Sequence, residues 1–223
     1  MLVPTIIADN FYENCDEVVH FANTLSYQQD AEGKWPGLRS EPLHEVSNIF
    51  FGRTCKKIIS LMYPMEGHVM GWEATCYFQK IKMNPKEKEF TEGWVHHDYP
   101  LLFTAIIYLS SHTDVGTSVV MPKSIFSHIK HVSTKNEKNR RGKAPNFKEK
   151  LLENNSQFQE SIKVNSGKNR IFIFDSSQYH FVHNMNSVEN REDRLTLVCF
   201  FKDLKHANGV RWGIPEMLKN REL

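Results

Sequence analysis

The chain has 223 residues with a formal net charge of +2, and about 40% of its residues are hydrophobic. That length suits one sizeable globular domain, and the near-neutral balance argues against a protein whose overall charge is matched to nucleic acid or a membrane surface. Fifteen Phe, seven Tyr and four Trp favour aromatic packing on sheets.

The N-terminal stretch MLVPTIIADNF has neither a basic start nor a long apolar run, so it does not read as a signal peptide. Leu2 to Ile7 reads as a first strand with Pro4 near its start. Asn14 or Asp16 is placed to cap a helix over CDEVVHFANTL, with Val18, Val19, Ala22 and Leu25 as its apolar stripe. KWPGLRSEP is turn-rich. Leu43 to Met62 repeats apolar residues at threes and fours, with Gly52 as the expected weak point that splits it in two.

From residue 70 the pattern changes. ATCYFQKIKM, WVHHD, LLFTAIIYL, TSVVM, RIFIFD and RLTLVCFF are short and rich in β-branched and aromatic residues. Helices followed by serial strands predict a mainly β protein with flanking helices, an α+β jelly roll backed by its N-terminal helices. Neither a repeat nor a linker divides residues 1–223, so one domain is expected. Leu101 to Leu109, the longest apolar run, is too short to span a bilayer. Cys15, Cys55, Cys76 and Cys199 are widely separated and form no C-x-x-C pair, which reads as reduced thiols in a cytoplasmic protein.

One segment interrupts the strands. Residues 122–150 hold nine Lys or Arg against two Glu, a local net of +7. FKEKLLENNSQFQ, just after it, reads as a short surface helix, so a basic insert of about 122–160 is expected as a lid or loop. Within 122–150 the only aromatics, Phe126 and Phe147, offer few stacking platforms for bases. SHIKHVS places His128 and His131 at helical spacing, without a third ligand nearby.

The segment Trp94-Val95-His96-His97-Asp98 carries the chemistry. On a strand, residues two apart share a face, so His96 and Asp98 point together and His97 points away. An imidazole and a carboxylate are two members of a 2-His-1-carboxylate triad, which leaves open positions on a metal. The third ligand is expected from His180, with His183 as its competitor. Arg194 opens the strand RLTLVCFF ahead of Thr196, Val198 and Phe200. An arginine there requires an anion, and a carboxylate matches its planar fork. Arg191, in the polar run ENRED, is the solvated alternative.

The order H-x-D, a distal His and a following Arg, as His96, Asp98, His180 and Arg194, resembles the Fe(II)/2-oxoglutarate-dependent oxygenases. NRIFIFDSSQYH resembles the N-R-x-x-x-F-x-S-x-x-x-H of their prolyl-hydroxylase-like branch. Thr104 and Tyr108-Leu109-Ser110 match that branch too, whereas Val115-Gly116-Thr117 matches its Gly-Gly strand only in part. IIADNFYENCDEVVHFA and WPGLRSE are similar to bacterial and phage members.

The resemblance implies a double-stranded β-helix fold. It implies Fe(II) on His96, Asp98 and His180, and 2-oxoglutarate bound to Arg194 with help from Tyr108 and Thr104. It further implies O2 as co-substrate, ascorbate as an assay additive, and hydroxylation of a C–H bond with release of succinate and CO2. Leu102, Ile106 and Ile171 are expected to keep the pocket dry, and Trp35 or Arg39 to pack or meet substrate at its mouth. The implied partner is an amino-acid, peptidyl (prolyl among them) or other small-molecule substrate. A membrane is not implied, and nucleic acid is disfavoured because Arg191 and Arg194 lack the spacing of the demethylase branch. The competing readings are a non-catalytic jelly roll that binds a metal or small acid, and an oxygenase acting on nucleic-acid bases. The sequence leaves the oligomeric state open.

Overall fold

The computed structural model describes residues 3–29, 37–63, 70–81, 92–125, 146–185, 193–206 and 211–212. Trp35, His128, His131, Arg191 and most of the basic insert lie outside them.

Two antiparallel sheets face one another. The larger contains β1 (Ile6–Ala8), β2 (Tyr27–Gln29), β3 (Leu38–Ser40), β4 (Met70–Ile81), β5 (Phe103–Tyr108), β8 (Arg170–Asp175) and β10 (Arg194–His206), in the order β1-β8-β5-β10-β4-β3-β2, with β11 (Arg211–Trp212) paired to β10. The smaller contains β6 (Gly116–Pro122), β7 (Phe158–Asn165) and β9 (Tyr179–His183), in the order β7-β6-β9. An isolated bridge, His96 to His180, lays the H-x-D segment along the free side of β9. The architecture is the expected jelly roll, mostly antiparallel β with a few helices.

Strand parity sorts the side chains onto two faces. On β5, β8 and β10, Phe103, Ala105, Ile107, Ile171, Ile173, Leu195, Leu197, Cys199 and Phe201 enter the core beneath the helices. The alternate residues Ile106, Tyr108, Phe172, Phe174 and Val198 form a second cluster between the sheets. Burial on both faces explains why these strands read as continuous apolar runs. It also corrects two expectations. Leu102 and Ile171 belong to the helix-side core, and only Ile106 of the three pocket candidates sits between the sheets.

Three helices cover the outer face. In α1 (Cys15–Thr24), the Asn14 side chain caps the Glu17 amide, and Val18 and Ala22 are buried. The second apolar stretch is two helices, α2 (Leu43–Val46) and α3 (Asn48–Met62), but the break is at Ser47 rather than Gly52. Ser47 is extended, with φ −155°, and its hydroxyl caps the Phe50 amide, so it ends one helix and starts the next. Thr54, Cys55, Ile58 and Ile59 of α3 face the sheet, whereas Ile49 is 72% exposed and does not join the stripe. After the insert, α4 (Phe147–Ser156) is the expected surface helix, and the strand that follows it, β7, is one the sequence reading passes over.

Gly116 shows why a glycine opens β6. A Cβ there would collide with the Val164 carbonyl of β7. The single glycine of Val115-Gly116-Thr117 therefore stands where β7 leaves no room for a side chain.

Candidate metal and dicarboxylate site

The backbone at the edge of the smaller sheet sets the first ligands. His96 and His180 exchange both backbone hydrogen bonds, at 3.0 and 2.7 Å, and the Asp98 amide donates to the Ser176 carbonyl at 2.9 Å. WVHHD is thus a single bridge followed by a turn, not the full strand expected of it. The parity argument still holds locally, because His96 and Asp98 converge and His97 does not. The His97 Nδ1 accepts from the Tyr99 amide at 3.2 Å, and its ring lies against Tyr179.

Two asparagines at the end of α4 hold the segment before His96. Asn155 Oδ1 accepts from the Val95 amide at 3.0 Å, and its Nδ2 donates to the Gly93 carbonyl at 3.0 Å. Asn154 Nδ2 donates to the Val95 carbonyl at 3.3 Å. Side-chain amides thereby stand in for a neighbouring strand. The helix after the basic insert is tied to the H-x-D segment, a link the sequence does not signal.

The ligand atoms of His96, Asp98 and His180 all lie within 4.8 Å of one another. His96 Nε2 is 3.9 Å from Asp98 Oδ1, and His180 Nε2 is 3.5 Å from Asp98 Oδ2. The other nitrogens fix the tautomers. His96 Nδ1 donates to the Trp94 carbonyl at 2.8 Å and His180 Nδ1 to the Gln178 carbonyl at 3.0 Å. A carbonyl only accepts, so each Nδ1 carries a proton, and Nε2 is the ring atom left facing the carboxylate to offer a lone pair to a cation. Two lone pairs and an anion facing one point form a donor set that fits a divalent cation, with each imidazole oriented by its carbonyl partner.

Burial raises the Asp98 pKa, but His180, His96, a hydrogen bond from Thr104 and the charge of Arg39 outweigh it, leaving the carboxyl below its ordinary range. It is therefore ionised and ready to bind a cation at neutral pH. The Thr104 hydroxyl donates to Asp98 Oδ2 at 2.8 Å and lies 3.0 Å from the Ser176 hydroxyl. In the structure the Thr104 hydroxyl, the co-substrate contact implied by the resemblance, is engaged with Asp98 and orients it. Ser176, the serine of the NRIFIFDSSQYH motif, completes that contact.

The two distal histidines separate cleanly. His183 directs Nδ1 at Ser118 Oγ, 2.9 Å away, and Nε2 at Asn165 Oδ1, 3.1 Å away. Burial, with help from Lys163 and Arg194, pushes its pKa down to about 4. It is an internal hydrogen-bonding histidine of the smaller sheet, while His180 stands with Asp98.

Arg194 lies further along the same face of the larger sheet. Register on the larger sheet pairs Thr104 with Phe200 and Tyr108 with Thr196. The metal end and the arginine end are thus separated along β5 and β10. Arg194 is 3% exposed, and its Nε has no hydrogen-bond partner among the described residues. Its guanidinium lies over the Tyr108 ring, 5.6 Å from the centroid. Burial pulls its pKa down, and the Tyr108 hydroxyl pulls the other way. Asp193, the local acid that would neutralise it, is exposed at the strand end. The Tyr108 hydroxyl donates to Thr117 Oγ1 at 2.9 Å. A buried guanidinium with an orphaned N–H beside a buried hydroxyl calls for an anion.

A jelly roll carrying this triad and this arginine has the fold of the Fe(II)/2-oxoglutarate oxygenases, and solved structures of that class resemble it. HygX from Streptomyces hygroscopicus, solved with nickel and 2-oxoglutarate bound, is 11% identical, with a TM-score of 0.54 over 90% of this chain and 83% of its own. The non-heme alpha ketoglutarate dependent epimerase SnoN, from nogalamycin biosynthesis, is 11% identical with a TM-score of 0.52, covering 91% of this chain and 80% of its own. EvdO2 from Micromonospora carbonacea var. aurantiaca is 7% identical with a TM-score of 0.50, covering 91% and 87%. At these identities the likeness is one of fold. The chain itself belongs to the family described as "Family of unknown function (DUF6445)", whose model matches residues 3–201. No curated protein matches the sequence. Among the described residues no helix is long and apolar enough to cross a membrane.

Proposed function

We propose that the protein is an Fe(II)- and 2-oxoglutarate-dependent dioxygenase that hydroxylates a C–H bond of an amino-acid, peptidyl or other small-molecule substrate, releasing succinate and CO2. The observation that carries this is the pairing, on one face of the larger sheet, of a three-ligand cluster with a buried arginine whose Nε has no hydrogen-bond partner among the described residues. Either feature alone fits a structural explanation; together they match a metal and the dicarboxylic acid that chelates it.

In this reading His96, Asp98 and His180 hold the metal, which supplies the O2 chemistry when bound. Arg194 and the Tyr108 hydroxyl receive the far carboxylate of 2-oxoglutarate. Thr104 and Ser176 keep Asp98 turned inward. Phe174, whose ring centroid is 4.6 Å from that of His180, and Ile106, Phe172 and Val198 exclude water from the space between the two ends. A prolyl substrate stays within the proposal on the strength of the NRIFIFDSSQYH motif. We also propose a cytoplasmic setting, from the widely spaced thiols.

Succinate release from 2-oxoglutarate tests the reading without a known substrate. With Fe(II) and ascorbate under air, slow uncoupled turnover is expected from the wild type and none from His96→Ala or Asp98→Ala. A wild type that binds metal but releases no succinate points instead to a non-catalytic binding module.

A further inference from the structure

His96 is the least sheltered of the three ligands. Its side chain is 42% exposed, against 16% for Asp98 and 6% for His180. It also stands on the thinnest scaffold, a single bridge beside β9. Consecutive residues of an extended segment direct their backbone groups to opposite edges. His96 exchanges both of its groups with His180, so those of Val95 face the other way. Among the described residues no strand lies along that outer edge. Two asparagines of α4 take its place. Asn155 Oδ1 accepts from the Val95 amide, and its Nδ2 donates to the Gly93 carbonyl and, at 3.3 Å, to Glu92 Oε2. Asn154 Nδ2 donates to the Val95 carbonyl.

The Asn155 amide is committed at both ends, its oxygen to a donor and its nitrogen to two acceptors, which fixes its orientation. Contacts continue along the helix. The Phe147 ring at its start lies 6.0 Å from that of Trp94, and Val95 packs in one cluster with Phe158, just past its end. On the opposite edge the Gly93 amide donates to the Val182 carbonyl of β9 at 2.7 Å. Residues 93–95 are thus pinned from both sides. The Trp94 carbonyl that orients the His96 ring belongs to the same segment. Any displacement of the segment therefore moves the ligand and its orienting group together. Metal–ligand distances are held to within about 0.2 Å, so a small displacement is enough to weaken the site.

We propose that Asn155, assisted by Asn154, is a positioning residue for the metal: it holds the 93–95 backbone so that His96 meets the cation together with Asp98 and His180. The helix that follows the basic insert thereby sets the affinity of the site, although it supplies no ligand. The inference rests on the metal-binding part of the reading above and adds to it a residue that acts through another.

Mn(II) titration, followed by the electron paramagnetic resonance of the free ion at a temperature where circular dichroism shows every variant folded, reads the affinity of the folded protein alone. Asn155→Ala is expected to weaken it by about 10- to 100-fold. Asn155→Leu keeps the volume, removes the amide and is expected to do the same, which separates lost hydrogen bonds from lost packing. Ile59→Val, in the buried core beneath α3, is the control: it is expected to lower the melting temperature and leave Mn(II) affinity unchanged. At saturating Co(II) the ligand-field spectrum of Asn155→Ala is expected to differ from that of the wild type. Unchanged Mn(II) affinity in either Asn155 variant overturns the proposal. So does an equal loss in Ile59→Val, or a Co(II) spectrum identical to that of the wild type. If the wild type binds no Mn(II), or His96→Ala binds it equally well, the metal reading itself has failed, and this inference falls with it.

Discussion

Asp98→Ala and His180→Ala are each expected to weaken binding of Mn(II), a redox-silent stand-in for Fe(II), by at least about 100-fold, whereas His183→Ala changes it by only a few-fold. The reasoning is local. His180 directs Nε2 toward Asp98 because Nδ1 is spent on the Gln178 carbonyl. His183 spends both ring nitrogens on Ser118 and Asn165, so it has nothing to offer a cation. The His183 variant does lose a buried hydrogen-bond network, so its cost is expected in stability rather than in metal affinity. Calorimetric titration with Mn(II), alongside melting curves of the metal-free proteins, separates the two effects. Equal losses of metal affinity in the His180 and His183 variants would contradict the ligand assignment.

The second large effect concerns Arg194. Arg194→Met is expected to lower 2-oxoglutarate affinity by roughly 100-fold or more, in line with about 3 kcal/mol for a desolvated charge-assisted contact, and to leave Mn(II) affinity within a few-fold. It also carries an opposite sign in stability. A buried guanidinium with an orphaned N–H burdens the ligand-free fold, and an apolar side chain of similar volume removes that burden. The melting temperature of the ligand-free variant is therefore expected to rise. A residue kept for structure would show the reverse, with destabilisation and little change in 2-oxoglutarate binding.

Much of the fold is legible in the sequence because its signals are local. β5, β8 and β10 are buried on both faces, so their apolar runs stand out, and Asn14 announces α1 through its cap. What escapes is set by distant partners. β7 has only three residues that are not exposed, Phe158, Ile162 and Val164, and looks like loop until β6 pairs with it. β9 is a strand because β6 runs beside it and His96 bridges its other side. Ser47 breaks the second helix through its backbone and hydroxyl, a capping signal that the more conspicuous Gly52 obscures.

The site divides along the same line. His96, Asp98, His180 and Arg194 are recognisable by order and spacing, since the chemistry constrains which residue types stand there. Leu102 and Ile171 fall on the helix side instead of the pocket, because the two faces cannot be told apart in sequence when both are apolar. The grip of Asn154 and Asn155 on the H-x-D segment and the stacking of Arg39 on Tyr77 and Phe200 join residues far apart in the chain, and Thr104 meets Asp98 only because the turn between them folds back. None leaves a periodicity or a motif to read.

Anaerobic crystals soaked with Mn(II) and 2-oxoglutarate test the central claim most directly. The expected density is one cation held by the Nε2 atoms of residues 96 and 180 and by the carboxylate of residue 98, with the dicarboxylic acid chelating it and ending on the guanidinium of residue 194. A cation bound elsewhere, or an acid that leaves that guanidinium untouched, would contradict the account.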